Sequence, residues 1–280
     1  MTLSEACLFG EKRLEEAGVP EAGLNAWLLL EHVSGCTRSR YYAYPQEQLS
    51  EKEEREFRKA LEQRASRIPL QYITGTQEFM GHSFLVNDQV LIPRQDTEVL
   101  VEEALNYLQP GMRFLDLCTG SGCILLSLLL GCPGAAGTGS DISKGALQTA
   151  AKNRERLFPE AVLVESDLFH GIDGVFDMIV SNPPYIRRDE IGNLMEEVRL
   201  HEPASALDGH EDGLYFYRRI AKESPSHLRA GGRLYLEIGY DQGITVPELL
   251  EERGFCEIEV KKDLAGLNRV VTGVYPGTDG

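Results

Sequence analysis

From residue 1 to about residue 70, the apolar positions recur at helical spacing. Leu3, Ala6, Leu14 and Ala17 share one face until Gly18, which suits a helix C-terminal cap. A second apolar segment runs from Leu24 through Trp27, Leu28 and Leu30 to Val33 and stops at Gly35. Ser50 and Glu53 have capping-box spacing, and Phe57, Ala60 and Leu61 follow as an apolar face. The pattern predicts a small helical domain over 1–75. Nothing in it suggests catalysis, and His32 reads as a partly buried side chain with its polar needs met. Between Glu78 and Ile92 the pattern becomes β-rich, with Phe79, Met80, Phe84, Leu85 and Val86, then Asn87-Asp88, then Val90, Leu91 and Ile92. Asn-Asp between two apolar runs predicts a hairpin, so 76–95 reads as a β-hairpin linker.

Beyond about Asp96, strand and helix alternate. Strands are expected at Arg113–Leu117, up to Asp141, at Val162–Val164, Phe176–Ser181 and Arg233–Ile238, and near Ile258 and Val270. Helices are expected up to Leu130, over Ala146–Leu157, around Tyr215–Leu228 and over Val246–Arg253. That alternation predicts a doubly wound α/β sheet over 96–280. The strand closing at Asp141 is the least regular, because Gly134, Gly137 and Gly139 crowd it and glycine disfavours strands.

The 280 residues allow about two domains. A net charge of −16 argues against a broad nucleic-acid-binding face, which needs clustered Lys and Arg. The six cysteines form no C-x-x-C pair and have no histidines at zinc spacing, so free thiols and no metal are expected. No secretory signal opens the chain. The longest apolar run, Cys123 to Cys132, falls short of the roughly 20 residues that span a membrane. A cytoplasmic, monomeric protein without membrane or direct nucleic-acid contact is the expectation.

Candidate chemistry clusters where strands end. Asp116-Leu117-Cys118-Thr119-Gly120-Ser121-Gly122 joins the first strand to the next helix, and its small residues let the backbone approach a ligand. It lacks the full dinucleotide spacing and the Lys-Ser/Thr of a phosphate loop. Asp141, at the end of the next strand, can accept hydrogen bonds from both hydroxyls of a ribose, or can cap the following helix. Together these residues resemble the first two motifs of the S-adenosylmethionine-dependent methyltransferases with a Rossmann-like sheet, which usually carry glycine at the position of Cys118. The resemblance implies S-adenosylmethionine as cofactor, held by Asp116, Cys118, Thr119, Gly120, Ser121, Gly122 and Asp141. It also implies that Asp167 and Leu168 hold the adenine.

Asn182-Pro183-Pro184-Tyr185 follows the strand Phe176–Ser181. The two prolines stiffen it into an arm with a polar group at its start and an aromatic at its end. A planar NH₂ group is a poor nucleophile, because its lone pair is delocalised. The Asn182 side-chain oxygen and the Pro183 carbonyl can take both N–H bonds and favour a more pyramidal nitrogen, while Tyr185 packs on the flat group. Asn182 also borders the cofactor. Adenine, cytosine and guanine amines and the glutamine amide all fit such an arm.

The whole chain resembles the release-factor glutamine methyltransferases (the PrmC/HemK family). The match is carried by Arg67-Ile68-Pro69-Leu70-Gln71-Tyr72-Ile73 with Gly75, and by Leu91-Ile92-Pro93-Arg94-Gln95-Asp96-Thr97-Glu98, where Gln95 replaces a customary proline. Glu202-Pro203, Ala206-Leu207-Asp208-Gly209, Glu237-Ile238-Gly239 and Asn268-Arg269-Val270 complete it. The resemblance implies a class I methyltransferase sheet behind a helical-bundle domain that helps grip the substrate. That substrate would be the glutamine of the Gly-Gly-Gln loop in class 1 peptide chain release factors, methylated at N5. Read from the residues alone, Arg94, Asp96 and Glu98 can equally be helix-start and surface charges. Two other readings stand beside this one: an adenine-N6 or guanine-N2 methyltransferase acting on nucleic acid, and a methyltransferase-like scaffold without catalysis.

Overall fold

The computed structural model describes residues 1–277, which gather into two compact units. One is Met1–Thr76 with Met195–His201; the other is Gln77–Leu194 with the chain from Glu202 onward. In chain order the helices are α1 (Leu3–Glu16), α2 (Ala22–Ser34), α3 (Arg38–Ala43), α4 (Glu51–Ala65), α5 (Leu70–Thr74), α6 (Glu98–Leu105), α7 (Cys123–Gly131), α8 (Lys144–Leu157), α9 (Glu196–His201), α10 (Tyr215–Glu223) and α11 (Thr245–Glu251). The strands are β1 (Thr76–Phe79), β2 (His82–Leu85), β3 (Arg113–Leu117), β4 (Ala136–Asp141), β5 (Val162–Glu165), β6 (Phe176–Ser181), β7 (Leu228–Glu237), β8 (Cys256–Lys262) and β9 (Asn268–Tyr275). The final three positions of the 96–280 reading lie outside the described residues.

The smaller unit is helical around a core that includes Leu14, Leu29, Leu30, Phe57 and Leu61. Its helix ends follow local chemistry. Ser50 and Glu53 form the expected capping box on α4, and Gly35 closes α2 in the left-handed conformation. His32 is exposed rather than partly buried; it sits in the last turn of α2, where a polar side chain can face water. The helix α9 belongs to this unit through an ion-pair network. Arg64, itself buried, donates to Asn25 Oδ1 at 2.8 Å and to Glu197 Oε1 at 2.9 Å, and Arg67 donates to Glu197 Oε2 at 2.9 Å. A buried carboxylate is tolerated there because both oxygens are paired with guanidinium groups.

The larger unit is built on a seven-stranded sheet in the order β5-β4-β3-β6-β7-β9-β8 among the described residues. Strands β3 to β7 run parallel, and β9 is antiparallel to both β7 and β8. The strand over 136–141 forms despite its glycines, and packing explains them. A Cβ on Gly137 would stand 2.5 Å from Phe114 Cζ and 2.7 Å from Leu125 Cδ1. Absent side chains let the ring of β3 and the first turns of α7 fill that space, which outweighs a weak intrinsic strand preference.

The hairpin is real but lies earlier than Asn87-Asp88 predicts. Strands β1 and β2 turn at Met80-Gly81, both at positive φ (50° and 72°), as the twist of a two-residue hairpin loop requires. Asn87 instead makes a side-chain turn, its Oδ1 accepting from Gln89 N at 3.0 Å, and Val90–Ile92 is irregular.

The order of the sheet reverses between β3 and β6. The two strands pair in parallel, with Leu117 opposite Ser181, and the Ser181 hydroxyl donates to the Leu117 carbonyl at 2.8 Å. The segments after these two strands therefore leave the same carboxyl edge side by side. That is where an open α/β sheet forms its binding crevice.

Candidate active site

A cleft of about 480 Å³ opens at this edge, within the size range of small-molecule sites. Of the residues to which the sequence assigns a cofactor or substrate role, Cys118, Thr119, Gly120, Ser121, Asp141, Asp167, Leu168, Asn182 and Pro184 line it. Asp116, Gly122, Pro183 and Tyr185 are not among the lining residues: Asp116 and the Gly122 amide bond Thr119, which is, and the Tyr185 hydroxyl is engaged by Glu237 instead of facing the cleft.

Asp116 is fully buried beneath the loop. Its Oδ2 accepts from the Thr119 hydroxyl at 2.6 Å and from Leu125 N at 3.2 Å, tying the loop to the start of α7. Burial pushes this carboxyl up to about 7 against the pull of those two donors. Cys118 has φ 59°, a left-handed conformation that a non-glycine residue adopts at a cost of about 1 kcal/mol. This is the physical reason a glycine suits the position, and the chain tolerates cysteine there because the side chain packs against the apolar core. Burial, reinforced by the charges of Asp141 and Asp116, raises the thiol far above its usual value, so it stays protonated.

Asp141 is not the cap of α8; Ser143 is, accepting from Ala146 N at 3.2 Å. Asp141 Oδ2 accepts from Gly120 N at 2.9 Å and Oδ1 from Ser143 N at 2.8 Å. Each oxygen keeps lone-pair capacity after its one backbone bond. Burial raises this carboxyl, opposed by the Ser143, Gly120 and Ile142 backbone amides. A cofactor with a ribose diol and a flat base fits these residues. The carboxylate offers two fixed acceptors, and the space where a Gly120 Cβ would stand is open. The neighbouring Ser121 hydroxyl is buried without a partner.

Further along the crevice, Asp167 Oδ1 accepts from Arg219 Nη1 at 2.8 Å. Leu168 lines the cleft at φ 52°, and its side chain is buried in the core cluster that holds Phe169. Ile142 and Phe216 also line the cleft and are not marked by the sequence motifs, and so does Thr97, which the sequence offers only as part of the 91–98 match with no role of its own. Ile142 carried a signal: an isoleucine directly after the strand-ending aspartate, 64% exposed, presents apolar surface suited to a flat ring.

The arm Asn182–Tyr185 leaves β6 beside the loop. Asn182 Nδ2 donates to Thr97 Oγ1 at 3.3 Å, which leaves Oδ1 as the available acceptor. Pro183 and Pro184 are buried. The Tyr185 hydroxyl donates to Glu237 Oε1 at 3.3 Å. The charges around the PRQDTE segment are all engaged: Arg94 with Glu202, Asp96 with Arg269 at 3.3 Å, and Glu98 Oε1 with Met80 N at 2.6 Å.

The sheet order, the glycine loop after β3 and the strand-end aspartate define a Rossmann-like methyltransferase. Comparison with known proteins extends this. The PrmC N-terminal domain matches residues 5–75 and the methyltransferase small domain matches residues 95–209. A release factor glutamine methyltransferase of Agrobacterium fabrum is 40% identical, covering 97% of this chain and 96% of its own. Another, of Geobacter sulfurreducens, is 43% identical over 93% and 92%. A methyltransferase from Pyrococcus furiosus shares the fold, at TM-score 0.53 and 18% identity over 69% of this chain and 88% of that one. The chain belongs to the release factor glutamine methyltransferase family. No helix among the described residues is long and apolar enough to cross a membrane.

Proposed function

We propose that the chain transfers a methyl group from S-adenosylmethionine to the side-chain amide nitrogen, N5, of the glutamine in the Gly-Gly-Gln motif of class 1 peptide chain release factors. The observation that carries this reading is adjacency. A loop suited to a nucleoside cofactor and an arm suited to a planar amide leave paired strands at one sheet edge. The names of the full-length relatives favour glutamine among the planar NH₂ groups the arm could take.

In this reading Asp141 holds the ribose and the loop Cys118–Gly122 cradles the cofactor, with Asp116 bracing the loop. Asp167, Leu168 and Ile142 border the base. When bound, the cofactor supplies a methyl group on a positively charged sulfur. Asn182 Oδ1 and the Pro183 carbonyl accept the two N–H bonds of the glutamine amide and hold its nitrogen less planar, so that its lone pair is available. As the nitrogen gains positive charge, the same two oxygens stabilise it; the methylated nitrogen then releases one N–H proton to water, and because an N-protonated amide is a strong acid no strong base is required. Tyr185 keeps the arm in place from behind. The helical unit contributes to holding the release factor, and the enzyme works as a cytoplasmic monomer.

With methyl-labelled cofactor, the chain is expected to label a purified class 1 release factor and to leave DNA and RNA unlabelled. Label in nucleic acid and none in the release factor would replace this reading with an adenine-N6 or guanine-N2 methyltransferase.

A further inference from the structure

We propose that Thr97 and Glu237 are a pair of positioning residues that fasten the two ends of the Asn182–Tyr185 arm. The inference rests on assigning that arm to the acceptor amide. Thr97 precedes α6 and is 2% exposed. Its Oγ1 accepts a hydrogen bond from Asn182 Nδ2 at 3.3 Å. A carboxamide is planar, so tying its nitrogen to Thr97 fixes which way Oδ1 faces. At the other end, the Tyr185 hydroxyl reaches Glu237 Oε1 at 3.3 Å. Glu237 is the last residue of β7 and is 1% exposed, with Oε2 buried and lacking a hydrogen-bond partner. Burying a carboxylate with an unsatisfied oxygen is destabilising, and such a group calls for a role that needs it.

The surroundings of Glu237 tune that role. Thr97 and Asp96 face it from the start of α6, Tyr185 from the arm, Cys123 from α7, and Arg269 from β9 with Asp263 behind. Tyr217 of α10 donates to the Glu237 carbonyl at 2.8 Å. Burial pushes the carboxyl up to about 7; Thr97, Arg269 and Tyr185 oppose the rise and Asp96 adds to it. The Tyr185 hydroxyl is itself raised by burial and by the Glu237 charge, so it remains a donor. An ionised carboxylate is the stronger acceptor. The arm is therefore held more firmly above the pH at which Glu237 loses its proton and more loosely below it.

The test measures kcat, KM for the release factor and cofactor Kd in the wild type and in Thr97→Val, Thr97→Ser and Glu237→Gln. Thr97→Val is expected to lower kcat about 10- to 100-fold with cofactor Kd unchanged within about threefold, and Thr97→Ser to restore most of the loss. Wild-type kcat is expected to rise with pH through about 7, and Glu237→Gln to remove that inflection while keeping cofactor affinity. Should Thr97→Val lose cofactor binding through misfolding, Tyr185→Phe decides: it deletes only the hydroxyl that reaches Glu237, and a lowered kcat is expected. Wild-type kcat in Thr97→Val or Tyr185→Phe, or an unchanged pH profile in Glu237→Gln, overturns the inference alone. A wild type that leaves the release factor unlabelled would overturn the functional assignment beneath it.

Discussion

Asn182→Ala is expected to lower methyl transfer about 100- to 1000-fold while cofactor Kd stays within about threefold, the scale seen when one preorganised polar group is removed from a developing charge. The substitution removes the side-chain amide of an arm residue that lines the cleft, and with it the bond to Thr97 at 3.3 Å. It leaves untouched the Gly120 and Ser143 bonds that fix Asp141. The loss therefore falls on turnover and not on binding. Single-turnover kinetics at saturating cofactor, with calorimetry for Kd, separate the two. Equal losses in both would remove Asn182 from its assigned task.

The opposite division is expected at Asp141. Its carboxylate offers two charged acceptors, and a hydrogen bond to a charged group contributes roughly 1.5–3 kcal/mol, so Asp141→Ala should weaken cofactor binding about 100-fold. Loss of its bonds to Gly120 N and Ser143 N also loosens the loop. At saturating cofactor, kcat should return to within a few-fold of wild type, because the hydrogen bonds of Asp141 run to the cofactor loop and to Ser143 rather than to the arm. An unchanged dissociation constant by calorimetry would take Asp141 out of the site.

These assignments were legible in the sequence to different depths. Helix ends such as Gly35 and the Ser50–Glu53 box were legible because capping is local chemistry, settled within four residues. The loop after β3 and the arm after β6 were legible because strand ends and proline pairs leave a local mark. The hairpin was misplaced because its turn puts Met80 at positive φ, and methionine carries no signal for that conformation. Gly137 and Gly139 argued against a strand that forms because neighbouring side chains need their space, and neighbours across a sheet are not written in the local sequence.

The same limit hid the supports of the site. Thr97 reads as one more residue at a helix start, yet its partner Asn182 lies 85 positions away. Glu237 reads as a strand end, and its partner Tyr185 is 52 positions distant. The pairing of Arg64 with Glu197 spans 133 positions and brings α9 into the helical unit, which no periodicity announces. What contacts a ligand was visible from residue type, and what holds those residues in place required the fold.

In the proposed reaction one planar amide, on a glutamine side chain, receives the methyl group. Peptide mass spectrometry of a class 1 release factor after incubation with the chain and cofactor tests it most directly. The expected result is a single added methyl, located by fragmentation on the glutamine of the Gly-Gly-Gln motif and formed about 100- to 1000-fold more slowly with Asn182→Ala. A methyl group on any other residue, or an unmodified release factor beside an active enzyme, would contradict it.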